Sequence, residues 1–188
     1  MGRKGSQNYI RIVEAANDLF YQQGYNQTSF AEVAESTGIP KGNFYYYFKS
    51  KDELLHAVIN YRLEVIKNLL AETEARFSTP QSRLQRIIDI LANESSAVMD
   101  YGCPLGTLNA ELGKTQEDLQ SHAAQMFDLF HDWCEREFIA LGRKDNARHL
   151  AMHLMALLQG AALLGNVYKD RSFIENEVAQ AKDWIRSL

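Results

Sequence analysis

Lys41 and Asn43, two residues apart, carry the side-chain types that pair with purine edges. An ammonium reaches guanine O6 and N7, and a carboxamide pairs with an adenine edge. Gly42 between them lets a backbone come close to a partner. Tyr45, Tyr47 and Lys51 follow, and Thr28 and Ser29 precede. These are hydroxyl and ammonium donors of the kind that hold phosphates without reading sequence. A second reactive position is Cys103, directly before Pro104 at a helix start, where free amides and the helix dipole favour a thiolate. The same residue reads equally as a small buried cysteine. His149 and His153 stand four apart, a spacing that can chelate zinc, yet no cysteine or carboxylate in sequence completes a site. No glycine-rich phosphate loop, Gly-x-Ser-x-Gly elbow or paired-carboxylate motif is present. Neither a metal nor a cofactor is expected.

The frame that must position these groups is helical. The chain has 188 residues, 46% hydrophobic and 23% charged, enough to bury a core without metals or disulfides. Three prolines and 11 glycines argue against a loop-rich β sandwich, and two cysteines are too few for a disulfide scaffold. No apolar run approaches the roughly 18 residues of a membrane helix. The first six residues lack the apolar stretch of a secretory signal, although Gly2 and Ser6 match a myristoylation pattern. A cytosolic protein is expected. The net charge of −4 hides an asymmetry. Residues 1–51 hold Arg3, Lys4, Arg11, Lys41, Lys49 and Lys51 against Glu14, Asp18, Glu32 and Glu35, so the excess of acid lies beyond residue 51. A small anion-facing module on an acidic body fits that split.

Ile12, Ala15, Ala16, Leu19 and Phe20 form one apolar stripe at helical spacing, stopped by Gly24. Ser29-x-x-Glu32 reads as a capping box for a short helix over about 29–36. Gly38 breaks it, and Pro40 suits the first turn of another over about 40–47. Helix, glycine turn and helix make a helix-turn-helix pattern, with Ala34 at the close approach and Ile39, Phe44 and Phe48 as core. Ser50-x-x-Glu53 opens a long helix to about Phe77. Thr79-Pro80 starts a helix running through Val98, followed by a break near Tyr101-Gly102 and a short helix to Leu112. Thr115-x-x-Asp118 begins the next, which ends at Gly142. An apolar helix covers about 145–168, and Ser172-x-x-Glu175 caps the last.

The run Ile12-x-x-Ala15-Ala16-x-x-Leu19-Phe20-x-x-x-Gly24-Tyr25-x-x-Thr28-Ser29-x-x-x-Val33-Ala34-x-x-x-Gly38-Ile39-Pro40-Lys41-Gly42-x-Phe44-Tyr45-x-Tyr47-Phe48-x-Ser50-Lys51-x-x-Leu54 resembles the TetR family of bacterial transcriptional regulators. It covers residues 9–60. Tyr47 stands where the family often has histidine, and Ala31 stands where some members carry a base-reading side chain. The resemblance implies an all-α fold: a helix-turn-helix domain over 1–51, joined by the long helix to a ligand-binding and dimerisation domain over 52–188. The second helix of the motif would enter the major groove. Lys41 and Asn43 would then read bases over Gly42, while Thr28, Ser29, Tyr45, Tyr47 and Lys51 hold phosphates and Arg3 and Lys4 act as an arm. Tyr46 reads as surface or packing.

For the acidic remainder the resemblance implies an inducer pocket and a dimer seam. Pocket candidates are Met99, Tyr101, Cys103, Leu105, Leu108, Phe127, Phe130, Trp133 and Met155, residue types that line a core equally well. The helix over 145–168 is apolar all round, hence buried, and its Ala156, Gly160, Ala161 and Gly165 admit a close partner helix. With the last helix it resembles the family's four-helix seam; intrachain core is the alternative. The stretch from Tyr101 to Leu112 resembles the Gly-Cys segment of a TetR subgroup that includes electrophile- and redox-sensing repressors. The implied function is a homodimeric repressor on a pseudo-palindromic operator, released by a small apolar inducer or by modification of Cys103, with no membrane partner and no catalysis. The alternative is a thiol-dependent enzyme or small-molecule carrier on a helical bundle.

Overall fold

The structure is a computed structural model that describes the backbone of residues 3–114 and 116–188. The side chains of Arg3, Lys4 and Lys41 lie outside the described part. So do the Gly2 site, the Arg3-Lys4 arm and the Thr115 cap expected from sequence. Every regular element among the described residues is a helix. The order is α1 (Arg3–Gln23), α2 (Phe30–Thr37), α3 (Lys41–Tyr47), α4 (Lys51–Arg76), α5 (Pro80–Asn93), α6 (Ser95–Tyr101), α7 (Pro104–Leu112), α8 (Glu117–Ala140), α9 (Ala147–Tyr168) and α10 (Arg171–Ser187).

Local chemistry sets the boundaries. The Ser29 hydroxyl accepts from the Glu32 amide and the Glu32 carboxylate accepts from the Ser29 amide, so both expected halves of the α2 capping box form. Gly38 ends α2 at φ 63°, a left-handed conformation cheap only for glycine. At α4 the Ser50 hydroxyl accepts from the Glu53 amide, but the Glu53 carboxylate reaches past it to the Lys49 N–H at 2.7 Å. The helix expected through Val98 is divided at Glu94 into α5 and α6. The last helix starts at Arg171, capped by the Asp170 carboxylate on the Phe173 amide; Ser172, expected as the cap, instead donates its hydroxyl to Asp170.

Contacts group the chain into two compact units, residues 1–64 with 107–125 and residues 65–106 with 126–188. The divisions fall inside α4, α7 and α8. The first unit buries Ile12, Ala16, Phe20 and Tyr25 with Val33, Phe44 and Phe48, and it buries Leu54, Leu55, Val58 and Ile59 from the start of α4. Leu108, Leu112, Leu119 and Ala123 belong to the same unit and are also buried. Arg62 is buried here too, its guanidinium donating to Asn17 Oδ1 at 2.7 Å.

In the second unit α10 packs on α5 and α9, and α9 on α6. A Cβ on Gly165 of α9 would meet Ile174 at 2.5 Å, so glycine is needed for the close approach of α10. Asn166 donates to Met99 O at 2.7 Å and ties α9 to α6. The Trp133 indole donates to Glu74 Oε1 at 2.7 Å, and Arg83 faces the buried Glu137 at 3.4 Å. Burial pushes the Glu137 carboxyl above its ordinary range, partly offset by Arg83. The α9 helix departs from the all-round burial expected of it. Leu150, Leu154, Ala161 and Ala162 are buried, whereas Met152, Leu163, Val167 and Tyr168 are 57–72% exposed. At 22 residues, with mean hydropathy 1.5 over its most apolar stretch, α9 is also long and apolar enough to cross a membrane by length and composition, which the run-length reading passed over.

Candidate nucleic-acid interface

The first unit builds an aromatic platform beneath α3. Phe44 and Phe48, four apart on and after α3, are buried, and Phe30 meets the Phe44 ring edge-on at 4.9 Å. Tyr9 stacks on Phe48 from α1. With these side chains turned inward, α3 leaves Gly42, Asn43 and Tyr45 exposed. A Cβ on Gly42 would meet nothing within 4 Å, so no contact inside the chain requires glycine there. Tyr45 lies edge-on to Phe30, which limits how its hydroxyl can swing. Tyr47 is half-buried and its hydroxyl accepts from Asn8. Tyr46, read as surface or packing, is 69% exposed, more open than either neighbouring tyrosine.

The remaining candidates have partners inside the chain. Ser29 is exposed but serves as the α2 cap. The Glu32 carboxylate already occupies the Ser29 amide and is held below its ordinary range by that backbone bond. Thr28 is fully buried, with its hydroxyl donating to Gly24 O at 2.7 Å. Lys51 donates to Tyr25 O at 3.0 Å and Thr28 O at 3.1 Å, and its ammonium lies 4.3 Å from the centre of the Tyr25 ring. Thr28 and Lys51 therefore hold the segment between α1 and α2.

Tyr25, which sequence reading passed over, is the hub of that segment. It is fully buried, and its hydroxyl donates to Asp52. Burial, then the bond to Asp52, pushes its phenol up. The Tyr25 and Asn26 amides donate to the two oxygens of Glu111 on α7, at 2.9 and 2.6 Å. No periodicity could have revealed this partner, which lies 86 residues away.

Of the nine pocket candidates, Leu108 lies buried in the first unit and the other eight belong to the second. Trp133 is core, with its indole spent on Glu74. Cys103 is half-buried, and its Sγ accepts from Gln159 of α9 at 3.3 Å. Cys134 is buried, and burial pushes its thiol up to about 12. A cavity of about 210 Å³ between α9 and α10 is lined by His153, Leu157, Leu158, Ala161, Ala181 and Trp184 among others, and by none of the nine. The exposed His153 lies edge-on to Trp184. One turn of α8 also gathers His131, Asp132 and Glu135, their ligand atoms within 4.8 Å of one another, a grouping the sequence reading did not single out.

Comparison with known proteins places this geometry. Residues 12–58 match the profile of bacterial regulatory proteins of the tetR family, and residues 80–180 match the C-terminal domain of LmrA/YxaF-like transcriptional regulators. The chain is 33% identical over 170 residues to an uncharacterized HTH-type transcriptional regulator in the lacX 3' region of Lactococcus lactis, covering 88% of this chain and 87% of that one. Its fold is shared with a TetR transcriptional regulator from Chloroflexus aurantiacus, with a TM-score of 0.85 and 23% identity over 98% of this chain and 96% of that one. It is shared equally with the reduced form of E. coli NemR, with a TM-score of 0.83 and 22% identity over 94% and 96%. With a profile spanning more than half its length and a relative aligned almost end to end, the chain belongs to the TetR family of transcriptional regulators.

Proposed function

We propose that this chain is a cytoplasmic, homodimeric repressor that binds a pseudo-palindromic operator and acts by binding, not catalysis. The observation that carries the reading is the α3 face: Gly42, Asn43 and Tyr45 stand exposed over a buried Phe44–Phe48 platform. A recognition helix needs that arrangement, with polar donors outward and the packing that fixes them inward. In this reading Lys41 and Asn43 take base edges, and Tyr45 and Tyr47 take phosphates. Thr28 and Lys51 serve by fixing the segment behind them. Residues 1–51 read DNA, and residues 52–188 dimerise and answer to the inducer.

Dimerisation uses α9 and α10. The apolar side chains of Met152, Leu163 and Val167 face solvent in the single chain, along a helix whose Ala156 and Gly160 are also exposed. A second copy laid on that face would remove this surface from water, and a pseudo-palindromic operator asks the two recognition helices of a dimer to stand about one DNA turn apart, roughly 34 Å. Inducer control is placed at Cys103 or at a small apolar ligand beside it. The half-buried Cys103 directly precedes α7 and accepts from Gln159, in contrast to the sealed Cys134. Whatever favours a second state of the dimer must weaken operator binding by the same coupling free energy.

Fluorescence anisotropy on DNA from immediately upstream of the gene, with and without a thiol-modifying electrophile, tests both halves. Tight binding that falls by orders of magnitude between about 50 and 200 mM salt is expected of a phosphate-contacting dimer. Release by the electrophile in the parent, but not in Cys103→Ser, assigns the trigger to the thiol. Binding indifferent to the electrophile moves the trigger to an apolar ligand. No salt-sensitive binding there, followed by a failed selection from random DNA, overturns the repressor reading.

A further inference from the structure

The connector 24–29 between α1 and α2 is gripped on both of its hydrogen-bonding faces. On the amide face, Glu111 Oε2 accepts from Tyr25 N–H and Oε1 from Asn26 N–H. Two consecutive amides converging on one carboxylate make an anion-binding concavity, and bonds to an ionised acceptor are stronger than neutral ones. On the carbonyl face, the Lys51 ammonium donates to Tyr25 O and Thr28 O. Gly24 completes the seat. Its φ of 89° suits glycine, and a Cβ there would stand 3.3 Å from Glu111 Oε2.

That connector decides where α2 begins, because Ser29 is its cap. The position of α2 in turn fixes α3 across the Gly38 turn. The two anchors differ in kind. Lys51 sits on the first turn of α4, directly after the helix-turn-helix. Glu111 sits on α7, a helix that begins at Pro104, next to Cys103. Glu111 follows Cys103 by eight residues, about 12 Å along the helix axis at 1.5 Å per residue.

We infer that Glu111 is the positioning residue through which α7 sets the recognition helices: its carboxylate on the Tyr25 and Asn26 amides holds the DNA-binding arrangement, and withdrawal of α7 releases it. This rests on the reading of the chain as a regulated DNA-binding protein and adds the residue that carries the regulation. It differs from a general stabilising role in what it affects, namely the connector 24–29 and operator affinity.

The test uses the full-length protein with operator DNA selected from a random pool, and compares Glu111→Ala, Glu111→Gln and the charge control Glu117→Gln, an exposed carboxylate at the start of α8. Two quantities are read: operator affinity by anisotropy, and amide hydrogen exchange of the peptide covering 24–29 without DNA. Glu111→Ala is expected to weaken operator binding 10- to 100-fold and to speed exchange at 24–29. Glu111→Gln, which keeps one acceptor oxygen, falls between, and Glu117→Gln matches the parent. Should the alanine variant fail to fold, the near-isosteric glutamine variant carries the comparison. Transmission is read from Cys103→Tyr, a wedge at the head of α7. It is expected to weaken binding and loosen 24–29, and to add little when combined with Glu111→Gln. Operator affinity within twofold of the parent and unchanged exchange at 24–29 in both Glu111 variants would overturn the assignment. Additive effects in the double variant, or a wedge that leaves both readouts alone, would overturn transmission through Glu111. If the parent itself binds no selected DNA, the repressor reading falls, while the exchange data still decide whether Glu111 holds the connector.

Discussion

The two units dispose of their large side chains differently. In the first, aromatic residues of the first three helices and their flanks close over one another: Tyr9 stacks on Phe48, Phe30 meets Phe44, and Phe20 meets Tyr25. Among the described side chains of α3, those left outside are an amide, a glycine and tyrosines with hydroxyl tips. In the second unit, α9 buries one side and leaves a row of methionine, leucine and valine in water. A surface of polar donors over a finished core is complete as it stands and waits for a hydrated polyanion. An apolar row on a finished helix is incomplete and waits for another apolar surface. The same division shows in the internal polar contacts. Lys51 and Glu111 spend their charged groups on backbone groups of the connector, whereas Arg83, Glu137, Trp133 and Glu74 pair side chain to side chain across helices.

The comparison can be broken most severely at Phe44. If the α3 face depends on the platform beneath it, Phe44→Ala should cost about 3–5 kcal/mol of stability through the cavity it leaves. Chemical denaturation would show the loss, with operator binding failing in parallel. A loss under 1 kcal/mol would mean that α3 is held by something other than its aromatic core. The second unit breaks the other way. Leu163 is 62% exposed, so Leu163→Glu should change the stability of the single chain by no more than about 0.5 kcal/mol. Yet it should raise the dimer dissociation constant at least ~100-fold, about 2.7 kcal/mol, by placing a charge in the seam. Sedimentation equilibrium measures it, and an unchanged dimer would take the seam away from this face. Smaller again is Asn43→Ala, expected to weaken the operator by about 1–3 kcal/mol and to relax base preference at one position without changing stability. Equal loss on every DNA sequence would make Asn43 a backbone contact.

How far these features could be read in advance follows the range of the interactions behind them. The helix-turn-helix was legible because its signals are local. Ser29 and Glu32 cap each other within one turn, Gly38 marks its own dihedral, and Phe44 and Phe48 repeat at four. The Glu111 contact was not legible, because a carboxylate accepting two backbone amides 85 and 86 residues away leaves no periodic trace. The exposure of α9 escaped for a different reason. A hydrophobic pattern reports that a face shuns water, not whether its own chain or a second molecule covers it. The misplaced cap at Ser172 is smaller and local: Asp170 and Ser172 are both competent caps, and the structure gives the amide of Phe173 to the carboxylate while the serine hydroxyl supports it.

The mildest expected effect lies in the first unit, where α4 meets α8. His56 Nδ1 and His122 Nδ1 stand 2.8 Å apart, and His122 Nε2 faces Asn60 Oδ1 at 3.1 Å. The Asn60 oxygen can only accept, so His122 carries its proton on Nε2 and offers a bare Nδ1 to the Nδ1–H of His56. That bond needs one proton between the two rings, and a second proton turns it into repulsion. Burial, then the charge of His56, lowers the pKa of His122 below its ordinary 6.5. The folded chain thus binds this proton less readily than the unfolded chain. The stability it confers is fully present above about pH 6.5 and is lost as pH falls from there through the lowered folded value. Denaturation midpoints at pH 7.5 and 5.5 should therefore fall in the parent by more than in His122→Gln, which keeps a polar side chain but binds no proton. Equal falls in both proteins would place the acid sensitivity elsewhere. A steeper fall in the variant would mean that protonated His122 finds a partner on α4, and that the pair is an attraction in acid.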